Sequence, residues 1–439
     1  MNDIFSRRNF LKSSGFGIGA LALGSLAPEA VFAATKDSLK NDSDFDSFAR
    51  SFMYHTSIPE SRLYFGFGEL DNLGKYRLPG KKACVVISGG GAMRRYGYLA
   101  RTEKQLDQAG VQHVLYDKVF PNPTLNQVMG GIDFAKKNGC DFILGLGGGS
   151  TMDSAKAIAF GCTNPGNLWD YSSSMTGGNK ERVADPLPIV CITTTAGTGS
   201  EIDPWGVITK EQTNEKSGFF SGESMYPVLS IVDPGLTFTV PQDYTAYQGM
   251  DAFFHASESV INTKNSQMGE MYALLAITLV AKYLPRAVKN GKDRQARSFV
   301  SLANTLAGYY MRCTSAHSLE HAMGGFHPKL PHGAGLIMLA HAYYAFFADR
   351  KACEGQMVKM AKAMGMPDAR TGQDFIRALD SLLAQCGVSH LRMSDYGITK
   401  DELSRYPAIA RKIGGGDISA DPLQLSDADF LSIYQKSFR

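Results

Sequence analysis

From residue 83 the chain alternates short apolar runs with longer amphipathic ones. Ala83-Cys84-Val85-Val86-Ile87-Ser88 carries no polar side chain before its last position, the pattern of a buried strand, and the segment after it through Gln108 has helical spacing. The pattern then repeats. Val111–Tyr116 predicts a strand, Leu125–Asn138 a helix and Asp141–Leu146 a third strand, with further strand-like runs at Pro188–Thr195 and Leu229–Val232. Strands separated by helices argue for a parallel sheet covered by helices. After Pro241 the texture changes to Ala/Leu/Met-rich stretches of helical period, such as Gly269–Tyr283 and Phe299–His321, which predict an all-helical second domain. Asp233-Pro234-Gly235 and Pro241 mark the junction. The expected organisation is an α/β domain at 51–238 and a helical domain at 239–439, with no internal repeat or low-complexity tract.

The N-terminus carries a different signal. Ser6-Arg7-Arg8-Asn9-Phe10-Leu11-Lys12 matches the twin-arginine export pattern, and it is followed by an apolar stretch, Phe16–Ala27, and a cleavage-like Val31-Phe32-Ala33. That stretch is shorter than the roughly 18 unbroken apolar residues of a membrane anchor. The expectation is a signal peptide at 1–33 that is removed, a loose polar lead-in at 34–50, and no stable membrane insertion after cleavage. The twin-arginine machinery would deliver the folded protein to the periplasm or another exported location.

Composition narrows the partners. With 439 residues, 44% hydrophobic and 20% charged, the chain has the make-up of an ordinary globular protein of two domains. Its net charge of +3 is spread among interspersed acids and bases, so no basic stripe points to a nucleic acid and a small-molecule ligand is expected instead. Seven widely spaced cysteines without a C-x-x-C pair argue against both a disulfide framework and a zinc knuckle. Cys84 and Cys191, in apolar runs, are expected to be buried, inert thiols.

Three turns following strands suit a phosphate group. Gly89-Gly90-Gly91 follows the first strand, Gly145–Ser150 the third, and Thr193–Glu201 adds hydroxyls to a flexible backbone. Glycine lets backbone N–H groups approach a pyrophosphate, and a helix N-terminus adds partial positive charge. Each turn alone is weak evidence, because Ser150 departs from a strict G-x-G-x-x-G and, with Asp153, also fits a helix cap. Together on one sheet they predict a Rossmann-like, dinucleotide-binding domain. The contacts expected are Gly89, Gly90, Gly91, Gly147, Gly148, Gly149, Ser150, Asp153, Thr194, Thr195 and Thr198; Lys156 reads either as a contact or as a surface group. Gly89 stands where an acidic residue would hold ribose hydroxyls, with Arg94 and Arg95 close behind, so NADP(H) is expected to bind better than NAD(H).

The histidines are concentrated: six of nine fall between positions 255 and 341. Asp251 and His255 are four apart in GMDAFFHASE, as are His317 and His321 in AHSLEHAMGGFHPKLPHG, and residues four apart share a helical face. A carboxylate among imidazoles is a metal-binding combination that suits Fe(II), with Zn(II) also able to use it.

In order and spacing, GGGSTMDSAKAIA (147–159), TTTAGTGSE (193–201), SIVDPGLTFTVP (230–241), GMDAFFHASE (249–258) and AHSLEHAMGGFHPKLPHG (316–333) resemble the iron-containing (group III) alcohol dehydrogenases. VVISGGGAMRRYG is similar to the butanol dehydrogenase and broad aldehyde reductase branch. The resemblance covers nearly the whole mature chain. It departs from the family in the export signal and in a His321–His332 interval one residue longer than the usual pattern.

The resemblance implies an N-terminal dinucleotide-binding domain, a C-terminal helical domain and an active site in the cleft between them. It makes Asp251, His255, His317 and His332 ligands of a divalent metal, Fe(II) first and Zn(II) second, and it makes His321 the neighbouring catalytic histidine, either relaying a proton or orienting substrate. His327 and His341 fall outside the ligand pattern and read as structural, while Phe253, Phe254 and Phe326 read as pocket wall or core. The implied reaction is hydride transfer between a nicotinamide and an alcohol or aldehyde, in a protein that is a homodimer by family analogy. A sugar-phosphate cyclase of the dehydroquinate synthase type and an exported, non-catalytic metal- and dinucleotide-binding protein are the alternatives.

Overall fold

The computed structural model describes residues 61–219 and 222–439. The export signal, the lead-in and residues 51–60 of the expected first domain lie outside that range. Six strands, β1 (Arg62–Phe65), β2 (Lys82–Ser88), β3 (Gln112–Val119), β4 (Phe142–Gly147), β5 (Ile189–Thr193) and β8 (Leu229–Val232), form one parallel sheet in the order β1-β8-β5-β4-β2-β3. Between β5 and β8, β6 (Gly206–Lys210) and β7 (Glu215–Phe219) pair antiparallel as a separate hairpin.

Both faces of the sheet are covered, which is why its central strands read as continuous apolar runs. Cys84 and Val86 of β2 pack on one face with Ile132 of α3 (Leu125–Lys137) and Ile158 of α4 (Gly149–Thr163). Ala83, Val85 and Ile87 point the other way, toward Leu99 and Leu106 of α2 (Tyr98–Gln108), which follows the short α1 (Ala92–Arg95). The chain leaves β2 toward β3 on one side and returns to β4 on the other, so the loops after β2 and β4 diverge at a topological switch point, the usual crevice for a ligand in such sheets. Those are the glycine loops 89–91 and 147–150.

The second domain is helical: α5 (Gln242–Ile261), α6 (Gln267–Lys289), α7 (Arg294–Tyr309), α8 (Ser315–Gly324), α9 (His332–Asp349), α10 (Glu354–Ala363), α11 (Gly372–Gln385), α12 (Tyr406–Ile418) and α13 (Asp427–Ser437). Every residue of α5 from Gly249 to Ile261 is buried, as expected of a helix at the centre of a bundle. The two domains are tied together through α7. Asn304 accepts from Gly199 N at 2.9 Å and donates to Glu201 Oε1 at 2.7 Å, and Thr305 donates to the same oxygen at 3.0 Å.

Two features depart from the periodicity reading. β1 and the β6–β7 hairpin were not expected, because their runs are short and mixed in polarity. The stretch 299–321 is not one helix: it breaks between Tyr309 and Ser315. There Arg312 N donates to Ser259 Oγ at 3.0 Å and Thr314 N to Glu258 Oε2 at 2.7 Å, so side chains of α5 replace the helical carbonyl acceptors.

A candidate metal centre in the interdomain cleft

Asp251 and His255 sit one turn apart on α5, His317 and His321 one turn apart on α8, and His332 opens α9 after Pro331. The three helices bring the Nε2 atoms of His317, His332 and His255 to 3.5, 3.6 and 3.8 Å from the single oxygen Oδ1 of Asp251. The extra residue between His321 and His332 does not prevent this approach. The rings of His255 and His317 stack with centroids 4.4 Å apart, and His321 lies 5.3 Å from His332, ring to ring.

The remaining ring nitrogens are held from behind. Nδ1 of His317 donates to Glu258 Oε1, Nδ1 of His332 to Glu320 Oε2, and Nδ1 of His255 to the Gly197 carbonyl at 3.2 Å. With Nδ1 committed to a partner in each ring, the Nε2 atoms face one another and Asp251. Glu320 is balanced in turn by Lys216 of β7, whose Nζ lies 3.0 Å from Oε2. Two atoms at the focus, Asp251 Oδ1 and His317 Nε2, are buried without any hydrogen-bond partner. An unsatisfied buried polar atom costs about 1–3 kcal/mol. A carboxylate oxygen and an imidazole lone pair aimed at one point are relieved together by a cation, so these residues fit a divalent metal.

Burial opposes the charged form of His317, but Cys313 and Glu258 outweigh it and hold the imidazole well above its ordinary range, so it gives up a proton when a metal binds. Burial works against ionisation of Asp251, but His255, His332 and His317 outweigh it and hold the carboxyl well below its ordinary range. Burial pushes His255 down to about 4, leaving a neutral donor at pH 7. Burial, with Lys216 and His332 close by, also holds His321 well below the usual imidazole range.

A cavity of about 320 Å³ runs from this cluster to the sheet, lined by His255, His317, His321 and His332 at one end and by Ser150, Asp153 and Thr198 at the other. Its walls join the expected metal residues to Ser150, Asp153 and Thr198, while the other expected nucleotide contacts, Gly89, Gly90, Gly91, Gly147, Gly148, Gly149, Thr194 and Thr195, do not line it. The glycine loop owes its composition partly to packing: a Cβ on Gly149 would stand 2.4 Å from Thr198 Cγ2, one on Gly148 3.0 Å from Thr195 Cγ2, and one on Gly147 2.6 Å from Thr151 Oγ1. Thr194 N bonds Gly147 O at 2.9 Å, which ties the two loops together. Gly90 and Gly91 have open space at the Cβ position.

Residues 59–234 match the family described as "Iron-containing alcohol dehydrogenase", and residues 245–438 match "Fe-containing alcohol dehydrogenase family, C-terminal". The chain belongs to the iron-containing alcohol dehydrogenases. Alcohol dehydrogenase 4 of Schizosaccharomyces pombe is 36% identical over 289 residues, 65% of this chain and 66% of that protein. NADH-dependent butanol dehydrogenase B of Clostridium acetobutylicum is 30% identical over 397 residues, 88% of this chain and 99% of that one. The fold is similar to that of an archaeal halo-thermophilic alcohol dehydrogenase from a Red Sea brine pool, with a TM-score of 0.81 at 30% identity over 88% of this chain and 99% of the other. The protein is thus an oxidoreductase of the alcohol dehydrogenase and aldehyde reductase class that uses a divalent metal and a nicotinamide cofactor. The cyclase and the non-catalytic readings are not favoured.

For this iron-containing alcohol dehydrogenase several residue expectations need correction. Ser150 and Asp153 are not a capping pair, since the N-cap of α4 is Gly148 and no side chain caps it. Asp153 lines the cavity, yet its oxygens are taken by Ser200 Oγ at 2.7 Å and Val207 N at 3.0 Å. Lys156 is not a surface group. It is fully buried, with Nζ 2.8 Å from Asp203, 2.9 Å from Ser200 and 2.8 Å from the Trp205 carbonyl. At Gly89 a side chain would meet Phe120 Cζ at 2.7 Å and the Asp117 carbonyl at 3.0 Å, so an acidic residue there would be crowded. His327 bonds Glu402 and Tyr406, and His341 bonds Asp380, both away from the cluster as expected. Phe253 and Phe254 are core, packed against Phe375 and Tyr344.

Glu258, Glu320 and Lys216 were missed. Glu258 is three residues after His255 and Glu320 three after His317, so helical spacing placed both carboxylates near the ligand faces. Nothing local marks Lys216. All seven cysteines are free, with Cys84 and Cys191 buried as expected.

Proposed function

We propose that Asp251, His255, His317 and His332 hold the divalent metal, iron(II) in the working enzyme, and that the nucleotide lies across the C-terminal edge of the sheet with its nicotinamide toward His321. The observation that carries this reading is the convergence of three Nε2 atoms on Asp251 Oδ1 within 3.8 Å. A divalent ion there supplies Lewis acidity toward an alcohol or carbonyl oxygen. Glu258, Glu320 and the Gly197 carbonyl hold the three ligand rings in one tautomer. His321, kept neutral beside them, accepts or returns the proton that accompanies hydride transfer, or orients the substrate. The small cavity and the butanol dehydrogenase named among the relatives favour a short, unbranched alcohol or its aldehyde.

The expected preference for NADP(H) loses part of its support, since Arg94 already pairs with Asp117 at 2.8 Å and that relative is named as NADH-dependent. The reading that remains is a site accepting both nucleotides, with the exposed Arg95 beside the 2′-position. The twin-arginine pattern supports export to the periplasm, and family analogy supports a homodimer. Because free dinucleotides are scarce outside the cytoplasm, the cofactor is loaded before export and retained, one substrate reducing it and another reoxidising it. The deciding experiment is metal analysis of anaerobically purified protein beside His317→Ala. The wild type is expected to hold one iron per chain and the variant almost none; full metal occupancy in the variant would refute the ligand assignment.

A further inference from the structure

The link between α7 and α8 brings a thiol to the edge of the same cleft. The donor atoms of Cys313, His255 and His317 all lie within 4.8 Å of one another, as do those of Asp251, His317 and His332, and Cys313 lines the cavity. The two groups share His317, whose Nε2 is buried and without a hydrogen-bond partner. The cysteine is also held in place. Arg312 N bonds Ser259 Oγ at 3.0 Å, the Cys313 carbonyl accepts from Asn262 Nδ2 at 2.9 Å, and Thr314 N bonds Glu258 Oε2 at 2.7 Å. Three consecutive residues are thereby fixed to the end of α5, the helix that carries Asp251 and His255.

We propose that Cys313 forms with His255 and His317 a second, softer face of the metal centre, through which zinc(II) competes with iron(II) for this protein. The inference rests on the reading that Asp251 and the three histidines bind a divalent ion. An ion using the shared imidazoles takes its next donor either from the Asp251 carboxylate or from the Cys313 sulfur. Oxygen suits iron(II), whereas thiolate adds affinity for zinc(II) and cobalt(II). On binding, the S–H bond breaks, the proton passes to solvent, the sulfur–metal bond forms and one coordinated water leaves. Donors around tetrahedral zinc stand roughly 3.5 Å apart, given bonds of about 2.0–2.3 Å, so side-chain shifts on the order of 1 Å complete the face.

Cobalt(II) is the probe, because a thiolate ligand gives it a near-ultraviolet charge-transfer band that carboxylate and imidazole ligands do not. Apo protein loaded with one equivalent of cobalt(II) under anaerobic conditions is expected to show the band. Cys313→Ser should bind cobalt(II) with the band lost, while Cys353→Ser, a buried thiol packed in the helical core, should keep it. In competition between iron(II) and zinc(II), Cys313→Ser should favour iron by at least about tenfold relative to wild type. Bound cobalt(II) without a band in the wild type, or a band that survives Cys313→Ser, overturns the role of Cys313 and leaves the Asp251 and histidine assignment standing. Failure of the wild type to bind cobalt(II) at all overturns both.

Discussion

Glu258 binds two parts of the site at once: Oε1 accepts from His317 Nδ1, while Oε2 accepts from Thr314 N at 2.7 Å and Thr314 Oγ1 at 3.0 Å. One fully buried carboxylate on α5 thus orients the His317 imidazole and ends the break that precedes its helix. Glu258→Gln keeps the volume but weakens the charge behind the imidazole. Metal affinity is expected to fall about 10–100-fold, read by chelator competition, with the circular dichroism spectrum unchanged. Wild-type affinity in this variant would remove Glu258 from the centre.

His321 stands beside the cluster, its ring 5.3 Å from that of His332 and 6.4 Å from that of His317. His321→Ala should retain the metal at wild-type stoichiometry and lose mainly kcat, by about 10²–10⁴-fold if the imidazole moves a proton. A loss confined to KM would leave it an orienting role alone. Metal loss in this variant would show that it is a ligand.

The glycines of the two loops are expected to separate. Gly149→Ala sets a methyl 2.4 Å from Thr198 Cγ2 and should lower both stability, by about 1–3 kcal/mol, and nucleotide affinity. Gly90→Ala meets nothing within 4 Å and should leave the melting temperature unchanged. If Gly90 approaches the nucleotide, its dissociation constant alone will rise; an unchanged constant would take Gly90 out of that site.

Burial pushes the Glu201 carboxyl up to about 7 from 4.5, at the point where Asn304 and Thr305 join the domains. A raised carboxyl pKa means that the folded state binds more protons than the unfolded chain between those values, so this group lowers stability as pH rises from about 4.5 to 7. Glu201→Gln keeps the accepting oxygen without the titration. The variant should match wild type near pH 4.5 and exceed it by on the order of 3 kcal/mol above pH 7 in urea unfolding. Parallel stability curves would sink this account.

Retention of the nucleotide predicts a simple observation. Mature protein recovered from the periplasmic fraction, desalted and then denatured, should release close to one dinucleotide per chain, since slow dissociation is what retention requires. Correctly metallated protein that releases none would refute it.

Local spacing determined which residues share a helix face, so Asp251 with His255 and His317 with His321 were legible as pairs, and apolar runs marked five of the six parallel strands. Both signals operate over a few residues, within one turn or one strand. What spacing could not decide is which faces meet. His332 joins the cluster from the first turn of α9, Lys216 from a hairpin of mixed polarity, and Cys313 from a break inside an apparently continuous helical pattern. Lys156 reads as a surface lysine until Asp203 and Ser200, more than forty residues away, are seen to compensate its burial. Partners at such separations are selected by packing of whole helices against the sheet, where the cost of burying a charge or a lone pair is offset only by groups the tertiary fold brings to it.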